Sequence, residues 1–301
     1  MTSPISGEKL YHWRQWAIAL GQTHQIDTYE VDWLLQGFTP LSSLSLKLGD
    51  YRSLSNVCCR LTLEELSDSW KKRVIERVPV QHIVGEVPWR NLMLKVSPHV
   101  LIPRPETELI IDITEKLVTS SPIKEQLVTG RWVDVGTGSG AIALSLATTF
   151  PEAAVHAIDI SPEALKIARH NAQRNNLSHC IIFHQGSWLT PLIHAQATLS
   201  GIITNPPYIP TQVISTLQPE VANHEPHLAL DGGTDGLDPI RTLIEQGAIL
   251  LRTGGFFLTE IMYDQAEAVC ESLSQSGCYA SITTHSDLSG LNRFVSAIKT
   301  I

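Results

Sequence analysis

Cysteine is scarce and shows no pairing pattern. The five residues, Cys58, Cys59, Cys180, Cys270 and Cys278, are odd in number, include one adjacent pair and form no CxxC. This argues against a disulfide framework and points to a reducing compartment, the cytoplasm. Long apolar runs are also missing: none approaches the roughly eighteen residues needed to cross a bilayer. The first thirty residues are broken by Glu8, Arg14, Gln22 and Asp27, so neither a membrane span nor a secretory leader is expected. The twelve histidines are scattered without an HxxxH pattern, and no metal is expected. Basic charge is short too, with 22 Lys and Arg against 30 Asp and Glu and a formal charge of −8. Residues 1–80 hold nine of each sign, so the whole acidic excess lies beyond them. Nucleic-acid binding normally rests on a basic surface, so an acidic second half argues against a direct nucleic-acid substrate. Neither an internal repeat nor a low-complexity stretch is evident, and without a self-association motif a monomer is the default.

What is present reads as a folded chain of 301 residues, 43% hydrophobic and 17% charged, long enough for one large domain and a smaller one. From Tyr11 to about Val78 the apolar residues fall at helical spacing: Trp13, Trp16, Ala17 and Leu20, then Val31, Leu34 and Leu35, then Leu63, Leu66, Trp70 and Val74. Gly37, Pro40 and Gly49 divide this stretch, and Thr62 with Glu65 forms a capping box before its last long helix. Residues 1–78 are therefore expected to be a small helical domain with Trp13, Trp16 and Trp70 in its core. A partner-docking surface is the sharper reading of those tryptophans. Residues 79–100 carry short β-type runs at His82 to Val84 and Leu92 to Val96 around a turn-rich centre, which predicts a β-hairpin connector. Beyond residue 130, β-type and helical runs alternate: strands at 132–135, 154–158, 181–184, 201–204 and 255–261, helices at 140–149, 162–175 and 238–251. Such alternation predicts an α/β fold with an open parallel sheet and helices on both faces.

Two motifs carry chemistry. Asp134-Val-Gly136-Thr137-Gly138-Ser139-Gly140 follows a strand and opens a helix; its glycines let the backbone turn sharply and approach a ligand near a helix N-terminus. Asp159 ends the next strand, where an acid can hydrogen-bond both hydroxyls of a ribose. An N-cap for the helix near Pro162 is its alternative role, although Ser161 is better placed for that. Together these residues indicate an adenosine-containing cofactor, either a dinucleotide or S-adenosylmethionine.

Asn205-Pro206-Pro207-Tyr208 decides between them. It follows the strand ending at Thr204, at the carboxyl edge of the sheet beside the cofactor. An amide nitrogen is a poor nucleophile because its lone pair is delocalised, so it must be held in line with the methyl group. The Asn205 side-chain carbonyl and the Pro206 backbone carbonyl could accept both N–H bonds of the acceptor NH₂, while Pro207 stiffens the loop and Tyr208 packs over the planar group. Departure of a neutral thioether from a sulfonium drives such a transfer.

These residues resemble the HemK/PrmC-type peptide chain release factor glutamine methyltransferases, almost without interruption from Val78 onward. The resemblance rests on Pro79-Val-Gln81 with Gly85-Glu86, Leu101-Ile-Pro-Arg-Pro-Glu-Thr-Glu108, the glycine motif, Asn205-Pro-Pro-Tyr208, and Glu225-Pro226 leading to Leu230 and Asp235-Gly-Leu237. It implies a Rossmann-like, seven-stranded class I methyltransferase sheet over residues 101–301, joined by the hairpin to an N-terminal substrate-docking domain. It also implies methylation of the glutamine in the Gly-Gly-Gln loop of release factors, modulating translation termination. By the same resemblance Gly136, Thr137, Gly138, Ser139 and Gly140 cradle the cofactor's amino-acid end, Asp159 binds its ribose, Trp188 flanks its adenine, and Asn205 touches cofactor and substrate. Pro206, Pro207 and Tyr208 complete the substrate pocket.

Three departures stand out: Ser187 where the family has an acid, Ser200-Gly-Ile-Ile-Thr204 without the usual aromatic-Asp start, and Met262 where glycine is common. Arg104 and Glu106 either brace the cofactor pocket or start a helix. Three other functions compete. A nucleic-acid amino methyltransferase is opposed by the acidic catalytic half, a non-catalytic adaptor by the intact motifs, and a nicotinamide dehydrogenase by the Asn-Pro-Pro-Tyr loop.

Overall fold

The computed structural model describes residues 3–194 and 198–300, which divide into two compact units. The first comprises Met1–Glu86 with Gln218–His224. Its helices are α1 (Gly7–Thr23), α2 (Tyr29–Phe38), α3 (Ser43–Leu48), α4 (Leu63–Ile75) and α5 (Val80–Val84), and a small antiparallel pair joins β1 (Ser3–Ile5) to β2 (Val57–Cys59). Helix α4 starts on the capping box, where the Thr62 N–H donates to Glu65 Oε2 and the Glu65 N–H to Thr62 Oγ1. Leu10, Trp13 and Ala17 share one face of α1 and pack with Leu34, Leu66 and Trp70. Trp16 lies off that stripe and remains 41% exposed, correcting its expected place in the core. The run at 82–84, expected as a strand, belongs to α5 instead. A three-residue run, His82-Ile-Val84, is too short to show a period, and Gly85, at φ +80°, ends the helix in the left-handed conformation that glycine tolerates.

The hairpin forms slightly later, between β3 (Glu86–Trp89) and β4 (Leu92–Lys95). The second unit, Val87–Leu217 with Glu225–Ile301, continues through α6 (Leu109–Ser120), α7 (Lys124–Val128), β5 (Arg131–Val135), α8 (Ala141–Thr149), β6 (Ala154–Asp159), α9 (Pro162–Arg174), β7 (Ile181–Gln185) and β8 (Leu199–Thr204). A short helix, α10 (Pro219–His224), groups with the first unit; there Glu220 accepts from Arg73 and pairs with Arg77. The chain then adds α11 (Asp238–Leu250), β9 (Leu251–Glu260), α12 (Ala266–Gln275), β10 (Tyr279–Ser286) and β11 (Asn292–Lys299).

Seven strands form one sheet in the order β10-β11-β9-β8-β5-β6-β7. β9, β8, β5, β6 and β7 are parallel, whereas β11 runs antiparallel to β9 and β10 antiparallel to β11. The expected open parallel sheet is therefore mixed at one edge, because a short link between β10 and β11 permits only antiparallel pairing. The chain enters the sheet at β5, winds outward through β6 and β7, then returns to β8 on the other side. The topological switch point thus lies between β5 and β8, and the crevice at their carboxyl ends is where such sheets bind ligands.

The unusual start of β8 has a packing cause. Gly201 lies in register with Trp132 of β5, whose buried ring stacks on Phe150 at 5.3 Å. A Cβ on Gly201 would sit 2.1 Å from that ring. Gly201→Ala should cost about 1–3 kcal/mol of stability through overpacking, read as a lower urea midpoint, and pairing it with Trp132→Leu should recover part of the loss.

Candidate active site

The site is built from the ends of neighbouring parallel strands. Asp134, fourth in β5, is 1% exposed; its Oδ2 accepts from the Thr137 hydroxyl at 2.6 Å and the Ala143 N–H at 3.0 Å. Its Oδ1 is buried without a hydrogen-bond partner among the described residues. Burial raises this carboxyl to about 7, against the pull of those two donors. At the end of β6, Asp159 Oδ2 accepts from the Gly138 N–H at 2.8 Å and Oδ1 from the Ser161 N–H at 2.9 Å. Its carboxyl is also raised by burial and opposed by backbone donors. The helix-capping role falls to Ser161, which accepts from the Ala164 N–H.

Within residues 136–140, four of the five backbone N–H groups are used inside the protein. Gly136 and Thr137 both donate to the Ile158 carbonyl, Gly138 to Asp159, and Gly140 to the Thr137 carbonyl. The glycines therefore contribute shape more than donors. Gly136 and Gly138 have φ of +73° and +53°, and a Cβ on either would meet nothing nearer than 3.9 Å, so the missing side chains leave space for a ligand. Gly140 differs: its Cβ would press on Leu144 and Ala168 at 3.0 and 3.2 Å, so it permits packing of α8 on α9.

A cavity of about 290 Å³ lies over this loop. Gly136, Thr137, Gly138, Ser139, Asp159, Trp188, Asn205 and Pro207 line it; Gly140, Pro206 and Tyr208 do not. Pro206 is buried. The Tyr208 ring packs on the core beneath α11 and β9, and its hydroxyl donates to Glu260 Oε1 at 3.1 Å. Trp188 lines the cavity with φ +50°, followed by a Leu189 N–H that donates to Gln246. Ser187, which replaces the family's acid, is in the wall as well. Met262 lies outside the left-handed region, so its backbone has no need of glycine.

Arg104 and Glu106 stand at a helix start: Arg104 precedes and Glu106 lies within a single 3₁₀ turn, Pro105–Glu108, that runs into α6, and neither lines the cavity. Arg104 Nη2 spans both oxygens of the buried Glu225 at 2.8 and 2.7 Å, linking the 101–108 segment to Glu225-Pro226. Glu106 is exposed. The same segment instead sends Leu101, Pro103 and Thr107 to the cavity wall. Sequence reasoning missed Thr107, which accepts from Asn205 Nδ2 at 3.3 Å, and Gln265, whose Nε2 donates to the Tyr208 carbonyl at 2.9 Å. It also missed Glu260, an acid ending an apolar strand at the carboxyl edge, which was the available signal.

The space over the glycine loop and the acid at the end of β6 fit an adenosine-bearing cofactor. Facing it, an Asn-Pro-Pro-Tyr loop at the switch point of a seven-stranded sheet completes the site of a class I S-adenosylmethionine-dependent methyltransferase. Residues 109–233 match the family model described as Methyltransferase small domain. The release factor glutamine methyltransferase of Synechocystis sp. is 48% identical over 97% of this chain and 97% of its own length. That of Thermosynechococcus vestitus is 42% identical over 97% of this chain and 99% of its own. The chain belongs to the release factor glutamine methyltransferase family. Among solved structures, the hMettl16 catalytic domain in complex with a MAT2A 3′UTR hairpin has a TM-score of 0.56 at 14% identity, with 88% of each chain covered, a likeness of fold alone.

An acid with a folded value near 7 and an unfolded value near 3.8 binds its proton more tightly when folded, so its stabilising contribution falls as pH rises between those values. On lowering the pH from about 7.5 to about 5.5, the cofactor-free protein should gain on the order of 2 kcal/mol more stability than Asp134→Asn. Urea denaturation of both proteins at each pH checks this; equal slopes would show that Asp134 is ionised throughout.

Proposed function

We propose that the enzyme transfers the methyl group of S-adenosylmethionine to the side-chain nitrogen, N5, of the glutamine in the Gly-Gly-Gln loop of peptide chain release factors, and thereby modulates translation termination. The observation that carries this reading is the disposition of Asn205. Its Nδ2 is committed to Thr107 while the residue lines the cavity, so its carbonyl is the end left to accept an N–H from a planar amide. The Pro206 carbonyl is the second acceptor, and two accepted bonds fix the plane of the acceptor and raise electron density on its nitrogen. Pro206 and Pro207 keep the loop from relaxing, and Gln265 ties down its far end at the Tyr208 carbonyl.

Gly136, Thr137, Gly138 and Ser139 shape the bed of the cofactor's amino-acid end, with Gly140 behind them setting the packing of α8 on α9. Asp159 retains lone pairs for the ribose hydroxyls, and Trp188 flanks the adenine with Ser187 as its polar neighbour. The cofactor supplies an electrophilic methyl whose leaving group is neutral. A dinucleotide suits the loop less well, because a pyrophosphate needs free N–H groups and four of those in the glycine motif are already bonded. The helical unit is the proposed docking domain for the release factor, with exposed Trp16, Tyr29, Leu44 and Leu48 as its apolar surface. The enzyme is proposed to work as a cytoplasmic monomer, in keeping with its five free cysteines.

Incubation with methyl-labelled S-adenosylmethionine and an intact release factor should label the Gly-Gly-Gln peptide, as read by mass spectrometry, but not a Gln→Ala release factor. Asn205→Ala should lower turnover at least ~100-fold with the fold intact. Label on RNA in place of the peptide would instead indicate a base amine as acceptor.

A further inference from the structure

Asn171, within α9, is 0% exposed and carries a carboxamide that would be strongly destabilising if left unpaired there. Its Oδ1 accepts the Lys95 N–H at 2.7 Å, and its Nδ2 donates to the Lys95 carbonyl at 3.0 Å and to the Ser139 carbonyl at 2.8 Å. A backbone N–H only donates and a backbone carbonyl only accepts, so these partners fix which end of the amide is oxygen. Toward β4 the side chain acts as one more strand residue, exchanging a pair of bonds with Lys95. Toward the glycine loop it meets a carbonyl that the helix leaves over. The Ala143 N–H, four residues on, would take the Ser139 carbonyl in a continuing helix, but it is given to Asp134.

Both segments that Asn171 holds bound the same cavity. Ser139 lies in its wall, and the chain leaving β4 supplies Pro98, His99 and Val100 to it. Strand β3 adds Trp89, whose Nε1 donates to Ser145 Oγ of α8 at 2.8 Å. The residues of β4 itself, Leu92–Lys95, do not line the cavity. We infer that Asn171 is a positioning residue for the cofactor, joining the loop under its amino-acid end to the β3–β4 hairpin so that two walls of the cavity keep one spacing. This rests on the reading of the cavity as the S-adenosylmethionine site. The Trp89–Ser145 bond fastens the hairpin to α8, whereas Asn171 reaches the loop itself. A loop held in place before the ligand arrives loses less freedom on binding, and order imposed on it by the ligand passes through Asn171 to β4.

The test combines calorimetry for the S-adenosylmethionine Kd, hydrogen exchange read by mass spectrometry, and turnover of an intact release factor at saturating cofactor. In the parent, the cofactor should slow exchange at least about threefold in residues 136–143 and also in residues 92–95, which do not touch the cavity. Asn171→Leu, close in volume but unable to hydrogen-bond, should raise the Kd about ten- to a hundredfold and leave kcat and the KM for the release factor within about threefold. At saturating cofactor it should keep the slowing in 136–143 and lose that in 92–95. Asn171→Asp retains an acceptor for the Lys95 N–H but has no donor for the two carbonyls, and should behave in the same way. A parent-like Kd in either folded variant, or a fall in kcat as large as the rise in Kd, would overturn the inference. If neither variant folds, the parent decides, because binding that leaves exchange in 92–95 unchanged also overturns it. A parent that binds without slowing 136–143 removes the cofactor reading and this inference with it. Slowing there, together with parent-like binding by Asn171→Leu, removes the role of Asn171 alone.

Discussion

The Asp134 carboxyl, buried at the end of the central strand, constrains everything around the site. It takes the Thr137 hydroxyl with one oxygen and the first turn of α8 with the same atom, so the chain must reverse tightly between β5 and that helix. Asp159 grips the reversal from the adjacent strand through the Gly138 N–H. Two acids on neighbouring parallel strands thus hold a five-residue turn that glycine alone could not keep in one conformation. Desolvation works against both carboxylates, and backbone and hydroxyl donors offset only part of it. The site accepts that cost in return for a loop that is shaped before any ligand arrives.

The acceptor side uses the same physics with different residues. Thr107, from the segment before α6, accepts from Asn205, and Glu260, at the end of β9, accepts from the Tyr208 hydroxyl. Rigid strands fix where these groups sit, and short polar contacts fix how they are turned. Arg104 and Glu225 fasten the two segments that flank this pocket. An amide acceptor needs such support because orientation, rather than intrinsic reactivity, limits its attack.

In the helical unit an ion network takes the corresponding place. Arg73, nearly fully buried, is bonded to Glu30 of α2 and Glu220 of α10, so a chain segment remote in sequence is held by charge pairs instead of by a hydrophobic seam. Removing one partner from such a network leaves an uncompensated buried charge, which is why its members act as a unit.

Periodicity and motif spacing by themselves determined the alternation of strands and helices from residue 130, the turn at Gly136–Gly140, the acid at Asp159 and the loop at Asn205–Tyr208, because backbone sterics and side-chain period are local properties. Local pattern was insufficient where the deciding partner is distant. Val80–Val84 is a helix that Gly85 ends, Trp16 faces solvent because the packed face of α1 is the one carrying Leu10, Trp13 and Ala17, and Gly201 is a glycine because Trp132 occupies its space. Gly140 spaces two helices, and Arg104 spends its charge on Glu225, 121 residues away. The pairing of Glu260 with Tyr208 likewise joins residues 52 positions apart. Sequence specifies which chemistry is available; only the tertiary fold decides which groups meet, since burial and hydrogen-bond partners across a sheet are set by chain topology and leave no trace in local spacing.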